Sequence, residues 1–283
     1  MDRLSVLCFA GTYGLALVGE LARFVVRSPA RWYATVGLTT LGWVVQTAYL
    51  ANLAFEAQRL PIANAFESLM AVAWLLAAID LYLIVRSPRS TAVGAFLLPL
   101  VIGLVVMAGV SAPRNAWAGW GGPTMFWGTV HGLLLLAGAA SSCVAFAAGL
   151  MYLMQASRLK HKRTSMRGFG LPSLEQAERL NRGAIALAFP LLTAGLLIGF
   201  GLIAATAGGP RWADPKVIST GAMWLVFAAL LHARYRPEMR GRGVMTLTTV
   251  AFAFLVFTWV GVDLLLPTAH GVPGPQSKTG GAS

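Results

Sequence analysis

Apolar residues in this chain fall into eight runs separated by short polar and charged segments. They lie near residues 4–26, 34–55, 64–85, 93–111, 124–156, 184–207, 216–233 and 244–267. A helix needs about 20 mostly apolar residues to cross bilayer hydrocarbon, so each run reads as a membrane-crossing helix. The predicted fold is all-α: an integral membrane bundle of eight transmembrane helices in one domain, residues 1–270, followed by a tail at 271–283. The fifth run is too long for one simple crossing, and part of it is expected to project beyond the membrane. The first run carries Glu20 and Arg23 and no small-residue cleavage site, so it does not read as a cleaved signal peptide.

Composition agrees. Of the 283 residues, 57% are hydrophobic and 11% charged, against about 25% charged in soluble domains. The deficit runs the whole length, which excludes a soluble domain with a single anchor. The formal net charge of +12 could suggest nucleic acid, but the basic residues sit in short loops between apolar runs. That is the distribution the positive-inside rule produces, so no nucleic-acid partner is expected. Cys8 and Cys143 both lie in apolar runs and form no CxxC, which supports neither a disulfide framework nor a thiol relay.

Lys and Arg also set the orientation. Arg23, Arg27 and Arg31 follow run 1, Arg86 and Arg89 follow run 3, seven residues from Arg158 to Arg182 follow run 5, and Arg234, Arg236, Arg240 and Arg242 follow run 7. Sixteen of the 22 basic residues thus fall on one side, and alternation holds across all eight runs. Those loops are expected to be cytoplasmic and both termini to face outward. A seven-span scheme with run 3 or 4 re-entrant would destroy the alternation.

The longest loop, 157–183, contains LPSLEQAERLNR, which predicts a short surface helix capped by Ser173 with Gln176 at its third position. The Gly/Pro/Ser-rich tail predicts disorder. No internal repeat, Walker loop, dinucleotide fingerprint or HExxH is visible.

Only four histidines occur: His131, His161, His232 and His270. His131, in WGTVHG, and His270, in LLLPTAHG, are both expected at the outer surface, where two imidazoles can approach one haem iron from opposite faces. An imidazole at or in a bilayer usually marks a ligand or proton site, and it is the commonest axial ligand of haem. The bland reading, an interfacial histidine bonded to water or a carbonyl, stays open for each. Between them lies AGGPRWADPK, with Trp212, Asp214 and Lys216. Nearby outer segments add Trp117, Trp120 and Trp127. A tryptophan can offer a porphyrin its flat face and a propionate its N–H, while Lys216 or Arg211 can pair a propionate. Trp127 and Trp224 read instead as an interfacial aromatic belt.

His232 is expected at the cytoplasmic end of run 7, and Gln46 inside run 2. Together they form a candidate inner cofactor site. The alternative is a Gln46 hydrogen-bonded to a neighbouring helix and a snorkelling His232. Glu67 is a candidate partner for an outer-loop cation. Asp263 is a candidate to orient His270, and Asp80 reads as interfacial. Glu20 and Arg23 are spaced to neutralise each other, and His161 reads as a solvated loop residue.

From about residue 40 to 271 the chain resembles the integral-membrane cytochrome c assembly proteins of the CcsA/ResC type. PIANAFESLMAVAW is similar to the family's P-x-x-N-x-[YF]-E-S-L segment, and WGTVH to its W-x-x-x-H. LAFPLLTAGLLIG keeps Phe189, Leu192, Thr193, Gly195 and Gly199 of G-F-x-L-L-T-x-G. DPK, then WLVFAALLHAR and RG at 240–241, resemble D-P-K-E…W-L-x-Y-A-x-x-L-H-x-R…R-G, and GVDLLLPTAH resembles G-V-N-L-L-L-x-G-L-H.

The resemblance implies that His131 and His270 ligate transient b-type haem at an external site beside a tryptophan-rich loop, and that His232 belongs to a transmembrane histidine pair. It implies a bacterial cytoplasmic-membrane protein that presents haem to apocytochrome c alongside a ResB-like partner. The thioether chemistry belongs to the apocytochrome's cysteines, so no catalytic residue is assigned here; at most the chain is part of a haem lyase complex. Three departures stand out. The tryptophan register before Asp214 is shifted, the family's final Glu is Val217, and Gln46 stands where the other transmembrane histidine is expected. They leave open a HemX-like regulator or stabiliser in haem metabolism. A small-solute transporter is disfavoured, since no paired Gly/Pro breaks mark its two halves.

Overall fold

The structure is a computed structural model that describes residues 2–22, 29–86, 93–110, 123–160, 171–205, 213–235 and 241–265. His161, His270, Trp117, Trp120, Arg211, Trp212 and the 271–283 tail lie outside the described residues, as do Arg23 and Arg27.

Each apolar run corresponds to a helix. They are α1 (Asp2–Leu21), α2 (Pro29–Ala57), α3 (Ala65–Arg86), α4 (Gly94–Val110), α5 (Pro123–Lys160), α6 (Leu174–Ala204), α7 (Pro215–Tyr235) and α8 (Arg242–Val256). The last continues through a π-helical turn, Phe257–Gly261, into Val262–Leu265. Five helices, α3 and α5 to α8, are long and apolar enough to cross a membrane, while α1 and α4 contribute shorter apolar stretches, Val6–Leu21 and Gly94–Val110. The chain is a membrane protein. α2 is long enough at 29 residues, but Thr35, Thr39, Thr40, Gln46 and Thr47 dilute its apolarity. At about 1.5 Å per residue, the 38 residues of α5 reach well past a hydrocarbon core of about 30 Å, as its length in the sequence predicts.

The described helices pack as two groups of four. In the first, α1 packs on α2 and α4, and α3 packs on α2 and α4. In the second, α5 packs on α6 and α8, and α7 packs on α6 and α8. Helix α5 joins the groups by packing on α3 and α4. One apolar core runs through both, from Phe9 and Tyr13 to Phe227 and Leu255.

The halves also share a side-chain latch. In α2, Thr47 donates to the carbonyl of Trp43 (2.7 Å) and accepts the Trp74 Nε1–H of α3 (2.8 Å). In α6, Thr193 donates to the carbonyl of Phe189 (2.7 Å) and accepts the Trp224 Nε1–H of α7 (2.9 Å). Each tryptophan ring packs on the aromatic ring one turn before its threonine, with centroids 5.7 Å apart in both cases. No internal repeat is visible in the sequence. The structure has one, in the order of packing and in this latch of a Thr, an aromatic residue at i−4 and a Trp on the next helix.

A second difference concerns α6. The Ser173 cap is present with both halves of its box: Gln176 N–H donates to Ser173 Oγ (3.1 Å) and Ser173 N–H donates to Gln176 Oε1 (3.1 Å). The predicted short surface helix is not separate, however. It is the first two turns of the 31-residue α6. Its Ala177 and Asn181 are buried, and lone Gly183 costs only about 1 kcal/mol, too little to end a helix packed on α5.

Candidate functional site

His131 lies two turns into α5, facing α6. Its Nδ1–H donates to the backbone carbonyl of Gly195, 2.7 Å away. A carbonyl can only accept, so Nδ1 carries the proton and Nε2 carries the lone pair. That nitrogen bonds no described residue and is not among the sealed, unpartnered polar atoms. A metal-ligating histidine is normally held in this way, by donating its other N–H to a carbonyl or carboxylate. The carbonyl bond expected of a merely interfacial histidine is therefore present, and it uses the nitrogen that a ligand does not need.

Two glycines of the LLTAGLLIG segment make this possible. A Cβ on Gly199 would sit 2.7 Å from His131 Cε1, and one on Gly195 would sit 2.7 Å from Leu135 Cδ2. The close approach of α5 and α6 relies on these bare backbones, as small residues allow in membrane helix pairs. Next to His131, a Cβ on Gly132 would sit 3.0 Å from Ile62 Cδ1, so the 58–64 connection lies against this end of α5.

That connection is fixed by Glu67, which is buried. Its carboxylate accepts a bidentate pair from Arg59 (Nη1 to Oε2, 2.7 Å; Nη2 to Oε1, 2.9 Å), the Ala63 N–H (2.8 Å) and Asn64 Nδ2 (2.9 Å). Asn64 caps α3 by accepting the Glu67 N–H at Oδ1 (2.8 Å). A carboxylate in the first turn is also favoured by the helix dipole. The cation anticipated for Glu67 is thus Arg59, which the sequence alone did not name. The Glu67 hydrogen bonds hold the Arg59 pKa above its ordinary value; burial opposes them and the carboxylate charge adds to them.

Asp214 starts α7. Its Oδ1 accepts the Lys216 N–H (2.8 Å), its carbonyl accepts the Ile218 N–H (3.1 Å), and Pro215 takes the first helical position. The D-P-K spacing therefore has a local helix-starting role. Trp224, read as part of an interfacial belt, is instead half-buried and bonded to Thr193 between α6 and α7. Trp127 is half exposed, with its ring edge-on to Phe126.

Gln46 is fully buried. Its Oε1 accepts the Tyr13 hydroxyl from α1 (2.7 Å), and its Nε2 donates to the Met70 carbonyl of α3 (3.1 Å). This is the interhelical hydrogen bonding held open for it in the sequence. His232 lies exposed in the last turn of α7, which packs on α6 and α8, whereas α2 packs on α1 and α3. Asp80, read as interfacial, is fully buried, and neither carboxylate oxygen has a hydrogen-bond partner. His270, Trp120 and Trp212 fall outside the described residues, as does the Asp263 side chain. Among the described residues no group of three or more His, Cys, Asp or Glu is placed to hold a metal ion; of the candidate haem ligands, His131 and His232 are described and His270 is not.

A bundle of apolar helices, five of them long and apolar enough to cross a membrane, defines a polytopic membrane protein. The chain belongs to the cytochrome c assembly protein family, whose pattern matches residues 62–270. It is similar to proteins named cytochrome c biogenesis protein CcsA. The one from Guillardia theta is 28% identical, over 84% of this chain and 85% of that protein. The one from Parasynechococcus marenigrum is 27% identical, over 93% and 94%. The one from Synechococcus elongatus is 30% identical, over 76% and 79%. The chain is a divergent member of this CcsA type.

Proposed function

We propose that this protein works in cytochrome c biogenesis by holding haem at the outer face of the membrane and presenting it to apocytochrome c. The observation that carries the proposal is the His131–Gly195 bond, which leaves Nε2 as the free ligand nitrogen. His131 and His270 are the two iron ligands. Trp120 and Trp212 supply flat apolar faces for the porphyrin, and Asp214 fixes the start of the helix after the Trp212 loop. All eight helices span, both termini face outward, and the basic loops face the cytoplasm of a bacterial inner membrane.

The residues fit the cargo. Bare backbone at Gly199 gives the imidazole a flat seat, and the carbonyl of Gly195 raises its basicity and fixes its orientation. The b-type haem is a substrate, not a resident group. Its vinyl groups each take up an apocytochrome thiol, S–H adding across C=C, while this chain orients the macrocycle and excludes competing ligands. A ResB-like membrane protein is the proposed partner.

The test is a visible spectrum of the purified protein together with a maturation assay. A Soret band that weakens in His131→Ala and His270→Ala, with loss of c-type cytochromes, is expected. A colourless protein that still restores maturation contradicts direct haem binding.

A second reading rests on Gln46, whose amide is engaged by Tyr13 and Met70 and is a poor iron ligand. In this reading His232 and Gln46 form no inner haem site, and the chain is a HemX-like regulator or stabiliser of haem metabolism. Gene deletion separates the two. Loss of all c-type cytochromes supports assembly, and altered haem content with normal cytochromes supports regulation.

A further inference from the structure

At the end of the bundle that carries the basic loops, α6, α7 and α8 enclose a cavity of about 140 Å³ lined by Glu178, Arg182, Arg234, Tyr235, Val244 and Met245. Its chemistry is unusual for a membrane-surface site. The Arg234 guanidinium donates from Nη1 to Asn181 Oδ1 (2.6 Å) and from Nη2 to the Glu178 carbonyl (3.2 Å). Both acceptors are neutral. Its Nε–H is buried with no partner, and Arg234 forms no ion pair among the described residues. Glu178 also lines the cavity, but its carboxylate is engaged by Arg182 (3.3 Å). The walls therefore hold two guanidinium charges against one carboxylate.

Asn181 keeps this arrangement rigid. It is fully buried, and besides accepting from Arg234 it donates to the Ala145 carbonyl of α5 (2.7 Å) and to Thr248 Oγ1 of α8 (3.4 Å). One amide thus ties four helices beside the cavity. Gly241, with φ of +80°, brings the chain into α8 at the rim. Tyr235 is 78% exposed there, and Leu187, Leu225 and Val250 on the same three helices present apolar side chains outward.

We infer that this cavity binds the phosphate of an anionic phospholipid. An anion in the cavity offsets the excess of guanidinium charge that Arg182 and Arg234 present there. Exposed apolar side chains further along the same three helices offer acyl chains a surface. The abundance of Lys and Arg at this end of the bundle favours the leaflet rich in anionic lipid. The binding is independent of whether His131 ligates haem.

The full chain, purified in detergent with added phosphatidylglycerol or phosphatidylcholine, is examined by native mass spectrometry. One phosphatidylglycerol is expected to be retained in preference to phosphatidylcholine. Arg182→Glu and Arg234→Gln are each expected to weaken retention about tenfold, the effect of losing one charge-assisted hydrogen bond. Arg179→Glu, on the same helix but outside the cavity, is expected to change nothing. Arg182 is exposed and not needed for packing, so its variant carries the test if Arg234→Gln does not fold. Equal retention of both lipids, or an unchanged preference in Arg182→Glu, overturns the inference. Inorganic phosphate that by itself displaces phosphatidylglycerol at millimolar concentration overturns the lipid assignment in favour of a soluble anion.

Discussion

The imidazole of His131 lies against the backbone of Gly199, where a Cβ would come within 2.7 Å of its Cε1 and 3.1 Å of its Nδ1. The fit depends on a missing methyl group. Gly199→Ala is therefore expected to push the ring off the Gly195 carbonyl and weaken haem absorbance, as His131→Ala does. Helix content should be kept, because alanine favours the helix by about 1 kcal/mol over glycine. Gly201→Ala, where an added Cβ meets nothing within 4 Å, should leave the spectrum unchanged. Circular dichroism and the Soret band, read on both variants, check this.

Glu67 collects four hydrogen bonds, and its removal leaves the Arg59 guanidinium unpaired in a half-buried position. Glu67→Ala is expected to destabilise the protein by about 3 kcal/mol, the cost of breaking a buried pair from one side. Adding Arg59→Ala should cost little more. Thermal unfolding of the single and double variants in detergent measures the coupling.

Thr47→Val and Thr193→Val each leave an indole N–H without its acceptor. Membrane hydrogen bonds are worth about 0.6–2 kcal/mol, so each variant should lose that much stability. The two losses should be similar and should add within about 0.5 kcal/mol, as separate sites do. Unequal losses would show that the two latches bear different loads despite their matching geometry.

Gln46→Leu is expected to destabilise the first four-helix group by about 1–3 kcal/mol by stranding the Tyr13 hydroxyl. Haem absorbance should be unaffected, since the bonds of Gln46 to Tyr13 and Met70 hold helices together. Loss of the Soret band in this variant, with the helices intact, would restore an inner haem site to the account.

Features set by local chemistry were legible in the sequence. The eight runs became eight helices, and the Ser173–Gln176 box was readable because a cap depends on residues three apart. Gln46 could be read as hydrogen-bonded because a buried amide must be, yet Tyr13, 33 residues away, could not be named, because nothing local encodes which helix lies beside it. The same holds for Arg59 as the partner of Glu67 and for Trp224, whose belt-like position concealed a bond to Thr193. The repeat was invisible for a further reason: the halves share a packing order and a three-residue latch whose members lie on different helices. The glycines at 195 and 199 were readable as a motif, but what they accommodate appears only once α5 lies on α6.

Electron paramagnetic resonance of the ferric haem bound to the purified protein tests the central claim most directly. Two axial imidazoles give a low-spin signal. The wild-type protein is predicted to show it, and His131→Ala and His270→Ala are each predicted to convert it to high spin, with added imidazole restoring the low-spin form. A low-spin signal that survives in both variants, or haem that stays high-spin in the wild type, would contradict the account.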